Sequence, residues 1–420
     1  MGKSDIRVAR QINLQRCFAL LALVFVIMRV DIISKEYPPA IYGGAGVHVA
    51  ELVRALRKII EVRVHCFGDP RDESETFAYR VPADLTSANA ALATLGVDVA
   101  IASALEGATL AHSHTWYANE AGRLAQTVFG IPHVVTAHSL EPFRPWKAEQ
   151  LGGGYRLSSE IERRAFESAD AVIAVSDGMR RDIVAAYPNL DSQRIHVVHN
   201  GIDADEWKPT HDPQVLSRFG VDPELPTVIF VGRITRQKGL TYLLRALHAL
   251  PPEVQIVLCA GAPDTPEIKA EFDTEVEKLS AQRSGVVWIA EHLPRHELMT
   301  LLTAATVFVC PSIYEPLGIV NLEAMACGTP VVGTATGGIP EVVADGTTGW
   351  LVPIDQASDG TGTPHNPDQF VADLSQTLSS AVADRSRANE FGVAARARAL
   401  EHFDWRSIAL KTLDVYQSVL

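Results

Sequence analysis

From Met28 onward the chain alternates short β-branched apolar runs with longer segments whose apolar residues recur at helical spacing. The runs at 29–34, 61–66, 109–115, 132–138, 170–176 and 195–198 predict strands. The segments at about 47–58, 84–94, 118–129, 158–168 and 177–187 predict the helices between them. The string N-G-I-D-A-D-E-W-K-P closes this half near Pro209, and a polar, proline-bearing connection covers 210–226. The alternation then restarts, with strands near 227–231, 254–259, 286–289, 306–310, 330–334 and 349–352. A loop rich in glycine, proline and polar residues follows from Ser358 to Pro367. Helices near 367–383 and 387–400 then lead to Phe403-Asp404-Trp405 and a final amphipathic helix. Such alternation argues for parallel sheets covered on both faces. The predicted fold class is α/β, two doubly wound Rossmann-like domains (28–209 and 227–400) facing across a cleft, joined by a linker at 210–226.

Residues 1–27 do not continue this pattern. Lys3, Arg7, Arg10 and Arg16 precede an apolar run from Cys17 to Ile27, a copy of a secretory signal in outline. The run is too short to span a bilayer. It passes without a polar break or an A-x-A site into Met28–Ser34, which reads as the first strand. The reading favoured over an export signal is a non-native extension from a misassigned start, with Met28 the natural first residue.

Composition narrows the partners. With 420 residues, 47% hydrophobic and 21% charged, the chain can build two or three ordinary globular domains. A net charge of −13 argues against nucleic acid or an anionic membrane surface as a partner. The five cysteines form no C-x-x-C pair and read as core thiols of a cytoplasmic protein, not as a disulfide frame or a zinc site.

Candidate chemistry is densest from Val309 to Val343. A strand ends at Pro311-Ser312, a loop delivers Glu315, Pro316 and Gly318, and a helix starting near Gly318 carries Glu323. Both carboxylates, with the free N–H groups of the helix start, then surround a crevice at a strand's carboxyl end. Sugar hydroxyls need carboxylate acceptors and phosphates need N–H donors, so the crevice suits a sugar nucleotide. A second strand, Pro330 to Gly333, is followed by the pair Gly337-Gly338.

Two loops offer phosphate contacts. Glu36 to Gly46 follows the first strand, and Gly43 and Gly44 there allow close backbone approach to a diphosphate; a plain tight turn is the other reading. It is no dinucleotide fingerprint, because Val49 stands where a third glycine is required. In F-V-G-R-I-T-R-Q-K-G (230–239), Arg233 and Lys238 can converge on one phosphate, although a basic loop is as often plain solvated surface. Asp203-x-Asp205 imitates a metal-binding pair, but its place before Trp207 suits a structural turn. His112, His114 and Trp116 end one predicted strand and His138 another, without a third zinc ligand at convincing spacing. No metal and no cofactor is expected. From His138 to Gly154 the chain offers Arg144 and Lys147 and then a glycine run before Tyr155. Two cations near glycines suit a small dianion, unless they simply pair with Glu141 and Glu149.

The string P-S-x-x-E-P-x-G-x-x-x-x-E-A-M-A-x-G-x-P-V-V around Glu315 and Glu323 resembles the signature of retaining glycosyltransferases of the GT-B fold, family 4. With Y-G-G-A-G-V-H-V, H-S-L-E-P-x-R-P-W-K-A-E-Q-L-G-G-G-Y and G-R-I-T-R-Q-K-G, the chain from Met28 to Leu420 is similar to bacterial members of α-glucan synthesis, of glycogen synthase and α-maltose-1-phosphate synthase type. It departs from the family 5 glycogen synthases, which carry a K-x-G-G lysine where this chain has Ile41 and lack the carboxylate of Glu323.

The resemblance implies transfer of glucose with retention, from ADP-glucose (or UDP-glucose) to glucose 1-phosphate or to an α-1,4-glucan end. It implies catalytic roles for His138, Arg233, Lys238 and Glu315. Donor contacts would come from Gly43, Gly44, Arg233, Lys238, Glu315, Leu317, Gly318, Ile319, Val320 and Glu323. Acceptor contacts would come from Tyr42, His114, Trp116, Arg144, Lys147 and Tyr155. The first domain would be the acceptor side, the second would bind the nucleotide sugar, and the helix at 401–420 would cross back to the first. A homodimer is compatible with all of this. The competing readings are a sugar-nucleotide epimerase or hydrolase, a nicotinamide enzyme and a silent sugar-nucleotide-binding regulator.

Overall fold

The computed structural model describes residues 28–420, so the expected extension at 1–27, with Cys17, lies outside the described residues. Among the described residues, thirteen strands form two sheets. The first holds β1 (Arg29–Ser34), β2 (Glu61–Phe67), β3 (Thr76–Tyr79), β4 (Leu110–His114), β5 (His133–Ala137), β6 (Ala171–Ala174) and β7 (Ile195–Val197), in the order β3-β2-β1-β4-β5-β6-β7. The second holds β8 (Thr227–Arg233), β9 (Gln255–Gly261), β10 (Val286–Ile289), β11 (Val307–Cys310), β12 (Val331–Thr334) and β13 (Gly349–Val352), in the order β10-β9-β8-β11-β12-β13. Pairing is parallel, for example Val30 with Val62 and Leu110, and Val228 with Ile256 and Val307. Each sheet is therefore doubly wound, as predicted, and its order reverses once, between β1 and β4 or between β8 and β11. Loops leaving the carboxyl ends of the two strands at such a reversal diverge and open a crevice.

By its packing the chain divides into two compact units. The first comprises the described residues up to Thr136, with Glu160–Ile173 and Ala409–Leu420; the second comprises Ala137–Ser159 and Ala174–Ile408. In the first, Ile33 and Ala111 of the strands bury against Val97, Ile101, Ala118 and Ala121 of the helices Ala90–Ala104 and Trp116–Phe129. Tyr416 of the last helix (Trp405–Ser418) is fully buried there, its hydroxyl 2.7 Å from His112 Nδ1. In the second, alternate residues of the strands (Val228, Phe230, Ile256, Leu258, Val307, Val309) bury against Leu240–Leu247, Pro266–Gln282 and Pro367–Ala383. Each such side chain, fully buried, contributes about 1.5–3 kcal/mol of transfer free energy.

Several elements differ from the sequence expectation. β3 was not foreseen, because Thr-Phe-Ala-Tyr is too short and mixed to stand out. The helix predicted over 84–94 is instead a 3-10 turn at Ala83–Leu85 followed by the helix Ala90–Ala104. Asn89 fixes that start: its side chain accepts from the Ala91 N–H at 2.9 Å. The connection at 210–226 carries a helix, Pro213–Phe219, capped by Asp212 Oδ1 on Gln214 N (3.0 Å) and Val215 N (3.4 Å). The four described cysteines are buried free thiols. Burial pushes Cys259 and Cys327 up to about 12.

Candidate active site

In the second unit, β8 delivers Arg233 and, through the 3-10 turn Arg236–Lys238, the side chain of Lys238. Its neighbour β11 delivers the loop of Ser312 and Glu315, and the helix Ile319–Ala326 carries Glu323. These two loops leave the point of strand-order reversal and are bolted together. Ile313 N–H donates to the Gln237 carbonyl at 3.0 Å. Gly239, at φ +65°, lies so close to Pro311 that a Cβ would stand 2.0 Å from its carbonyl oxygen. Behind Glu315, Gly337 has φ +55° and would place a Cβ 2.0 Å from the Glu315 carbonyl, which accepts the Gly338 N–H at 2.9 Å. Only glycine allows that approach.

The bolted loops bring Lys238 Nζ to 2.6 Å from Glu315 Oε2. The Ser312 hydroxyl donates to the same oxygen at 3.0 Å, and Glu315 is 5% exposed. Burial alone would push the Lys238 ammonium down, but the Glu315 charge reverses this and its pKa stands above the ordinary value. Lys238 thus stays a cation. Arg233 Nη1 pairs with Asp264 Oδ1 at 2.9 Å, across from the loop after β9. Glu323 keeps part of its surface exposed at the crevice, and desolvation pushes its carboxyl up to about 7, although Arg295 and Lys238 pull it down. Leu317 is buried, while Ile319 and Val320 at the helix start are partly exposed beyond Gly318. A buried Lys–Glu pair beside a guanidinium can hold an anion and order hydroxyl groups at one place.

The remaining candidates within the second unit lie on 137–159. His138 follows β5 and is partly exposed. Arg144 Nη1 donates to Ser139 Oγ at 3.0 Å. Lys147 is 7% exposed and lies 3.8 Å from Glu141 Oε1, while Glu141 Oε2 accepts from Ser158 Oγ at 2.6 Å. The Tyr155 hydroxyl donates to the Glu141 carbonyl at 2.6 Å. The predicted cations therefore separate: Lys147 has a carboxylate beside it, and Arg144 reaches a hydroxyl. Asp203 is the turn expected of it, accepting Asp205 N at 2.9 Å and Glu206 N at 3.1 Å.

In the first unit, two N–H groups of the loop after β1 are already taken. Glu36 Oε2 accepts from Tyr42 N at 2.7 Å and from Gly43 N at 2.8 Å, just before the helix Gly44–Leu56. A phosphate at Gly43 has to displace that carboxylate. Tyr42 is 59% exposed; His114 and Trp116 are buried, His114 against His112 (ring centroids 4.2 Å apart) and Trp116 against Tyr117 (4.1 Å). Between them Thr115 has φ +65°, a region that non-glycine residues seldom enter. Lys35 Nζ lies 3.8 Å from the Tyr117 ring centroid, joining the loop after β1 to the start of the helix that follows β4.

Sequence reasoning missed Glu36, Ser312 and Asp264, the immediate partners of the candidate residues. Asp264, in A-P-D-T-P directly after a strand, carried a signal in the facing strand end; Glu36 and Ser312 carried none beyond their place in loops.

Residues 42–206 match the model described as Glycosyltransferase Family 4, and 216–397 match Glycosyl transferases group 1. The alpha-maltose-1-phosphate synthase of Mycolicibacterium smegmatis is 55% identical over 395 residues, covering 93% of this chain and 100% of that relative. The chain belongs to glycosyltransferase family 4. A more distant relative of this family 4 glycosyltransferase is the D-inositol 3-phosphate glycosyltransferase of Xylanimonas cellulosilytica, 32% identical over 89% of this chain and 91% of the relative. The sucrose-phosphate synthase structure from Thermosynechococcus elongatus superposes with a TM-score of 0.75 at 23% identity, over 93% of this chain and 99% of that one. The glycosyltransferase therefore has the GT-B fold, and it is an enzyme of the hexosyltransferase class. Among its described residues no helix is long and apolar enough to cross a membrane.

Proposed function

We propose that the chain is a retaining glucosyltransferase that moves glucose from ADP-glucose to glucose 1-phosphate and forms α-maltose 1-phosphate in the cytoplasm. The observation that carries the reading is the buried Lys238–Glu315 pair beside Arg233, at the strand-order reversal of the second sheet. The names of the 55% and 32% identical relatives support a phosphorylated product or acceptor.

In this reading residues 28–209 form the acceptor side, 227–400 bind the donor, and 401–420 return to the first domain. Lys238 and Arg233 take up the charge of the diphosphate as the bond from the anomeric carbon to its oxygen breaks. The acceptor oxygen bonds to the anomeric carbon on the same face, and its proton passes to the departing diphosphate oxygen. Glu315, already held by Lys238 and Ser312, orders sugar hydroxyls and is not a nucleophile. Glu323 takes the ribose hydroxyls, the N–H groups following Gly318 face the diphosphate, and His138 contacts the glucose near its reacting carbon. Arg144 is the acceptor-phosphate cation.

One observation favours a second acceptor: with Glu141 beside Lys147, the loop offers one unneutralised cation fewer, which suits the uncharged end of an α-1,4-glucan. The test is incubation with ADP-glucose or UDP-glucose and, separately, glucose 1-phosphate, maltose and glycogen. Products are weighed by mass spectrometry and their new anomeric centre is read by proton NMR. Maltose phosphate with an α linkage from ADP-glucose is expected. A preference for glycogen or for UDP-glucose, or acceptor-independent release of free or epimerised sugar, overturns the reading.

A further inference from the structure

A cavity of about 520 Å³ lies in the second unit among the turn after β8, the helices Leu240–Leu247 and Pro266–Gln282, and the loop at 361–363. None of Arg233, Lys238, Glu315 or Glu323 lines it. Its helices belong to the crossovers β8–β9 and β9–β10, whereas the helix of Glu323 belongs to the crossover β11–β12. In a doubly wound sheet, crossovers on the two sides of the order reversal cover opposite faces. The cavity therefore lies on the face of the sheet away from the Glu323 helix and shares with the candidate active site the backs of the turn after β8 and of the loop at Ile313, not its charged side chains.

Its walls have a consistent chemistry. Trp146, Tyr242 and Phe272 supply aromatic surface, and Glu271 and Glu275 supply hydroxyl acceptors; Glu271 Oε1 already accepts from Thr241 Oγ1 at 3.1 Å. Two further wall residues, Trp146 through Nε1 and Thr235 through Oγ1, hold buried polar atoms with no hydrogen-bond partner. Arg236 is the cation of the lining, and of its two carboxylates Glu275 already pairs with Lys278 at 2.6 Å, so the cavity carries no cluster of free cations that a phosphate would need. Aromatic faces with carboxylates and hydroxyls match the apolar face and hydroxyl rim of a sugar ring. The volume lies in the range of small-ligand pockets.

We propose that this cavity is a second, non-catalytic binding site for a neutral sugar of one or two hexose units. The proposal stands whichever donor and acceptor the enzyme uses. Its test labels the full chain with 5-fluorotryptophan, assigns the Trp146 signal among the six tryptophans with Trp146→Phe, and titrates maltose without donor. The Trp146 fluorine signal is expected to shift saturably with a midpoint in the millimolar range, on the order of 1–10 mM. Glu271→Ala/Glu275→Ala is expected to raise that midpoint about tenfold or more by removing the hydroxyl acceptors. Thr363→Trp, an exposed change that fills the mouth, is expected to abolish the shift. A Trp146 signal that stays still, or one that moves with the same midpoint in both folded variants, overturns the proposal.

Discussion

Lys238→Ala tests the candidate site on stability and on turnover at once. The side chains of Lys238 and Glu315 are 18% and 7% exposed and 2.6 Å apart. Removing one member of such a pair leaves the other charge buried, at a cost of about 3–5 kcal/mol. Ser312 still donates to Glu315, which puts the expectation at the low end, about 3 kcal/mol. For a unit of this size that lowers the unfolding midpoint by about 6–12 °C. Turnover loses a charge-assisted contact to the departing diphosphate, about 1.5–3 kcal/mol, or about 10- to 150-fold in kcat. The double variant Lys238→Met/Glu315→Gln separates the two effects: with neither charge buried, the midpoint returns most of the way while kcat stays low. Thermal unfolding by circular dichroism and steady-state release of the nucleoside diphosphate read both quantities. If Lys238→Ala unfolded within about 2 °C of the parent chain and turned over within about threefold of it, the pair would carry neither role.

Glu323, pushed up to about 7 from an ordinary 4.5, makes stability fall as pH rises between those values, because the unfolded chain ionises first. The full loss, about 3 kcal/mol, is present above pH 7; Glu323→Gln should flatten the pH dependence of the unfolding midpoint, and an unchanged slope would refute the assignment. Because the ionised carboxylate is the better hydroxyl acceptor, KM for the donor should rise from pH 8 to pH 6 in the parent chain and stay level in that variant. Gly337→Ala drives a Cβ into the Glu315 carbonyl and should cut kcat by about tenfold or more in a folded protein, measured by turnover beside a far-ultraviolet spectrum. Arg144→Glu should raise KM for glucose 1-phosphate by about tenfold or more and leave KM for maltooligosaccharides within about threefold; equal losses on both would remove Arg144 from acceptor selection.

The alternation of apolar runs and helical segments was enough to read two doubly wound sheets, because parallel strands buried on both faces leave a continuous apolar signature. Arg233, Lys238 and Glu315 stood out for a related reason, each standing at or just beyond the carboxyl end of such a run, and Glu323 because it lies on the helix that follows. Partner choice was not legible. Lys238 and Glu315 are 77 residues apart, and they meet because β8 and β11 are neighbours in the sheet order, which no local pattern encodes. The same holds for Arg233 and Asp264, brought together by the pairing of β8 with β9. Burial was not legible either. Trp116 and His114 have the residue types of a sugar site, and their exposure of 2% and 0% could not be read from the residue types alone.

The loop after β1 sharpens the point about local and non-local signals. Its glycines advertise a phosphate cradle, but Glu36 takes up the N–H groups of Tyr42 and Gly43 with a carboxylate of its own. An internal anion at that place stabilises the loop, and any phosphate binding there has to displace it. A contact made by a residue six or seven positions away thus decides whether a glycine-rich loop is an open cradle or a closed turn. In the second unit the balance is reversed: Lys238 is held by Glu315 and stays charged, and Arg233 lies beside Asp264, so the cations are oriented before any phosphate arrives. Pre-orientation of that kind lowers the reorganisation required as charge develops on the leaving group. Donor binding should therefore depend more steeply on the turn after β8 than on the glycines after β1.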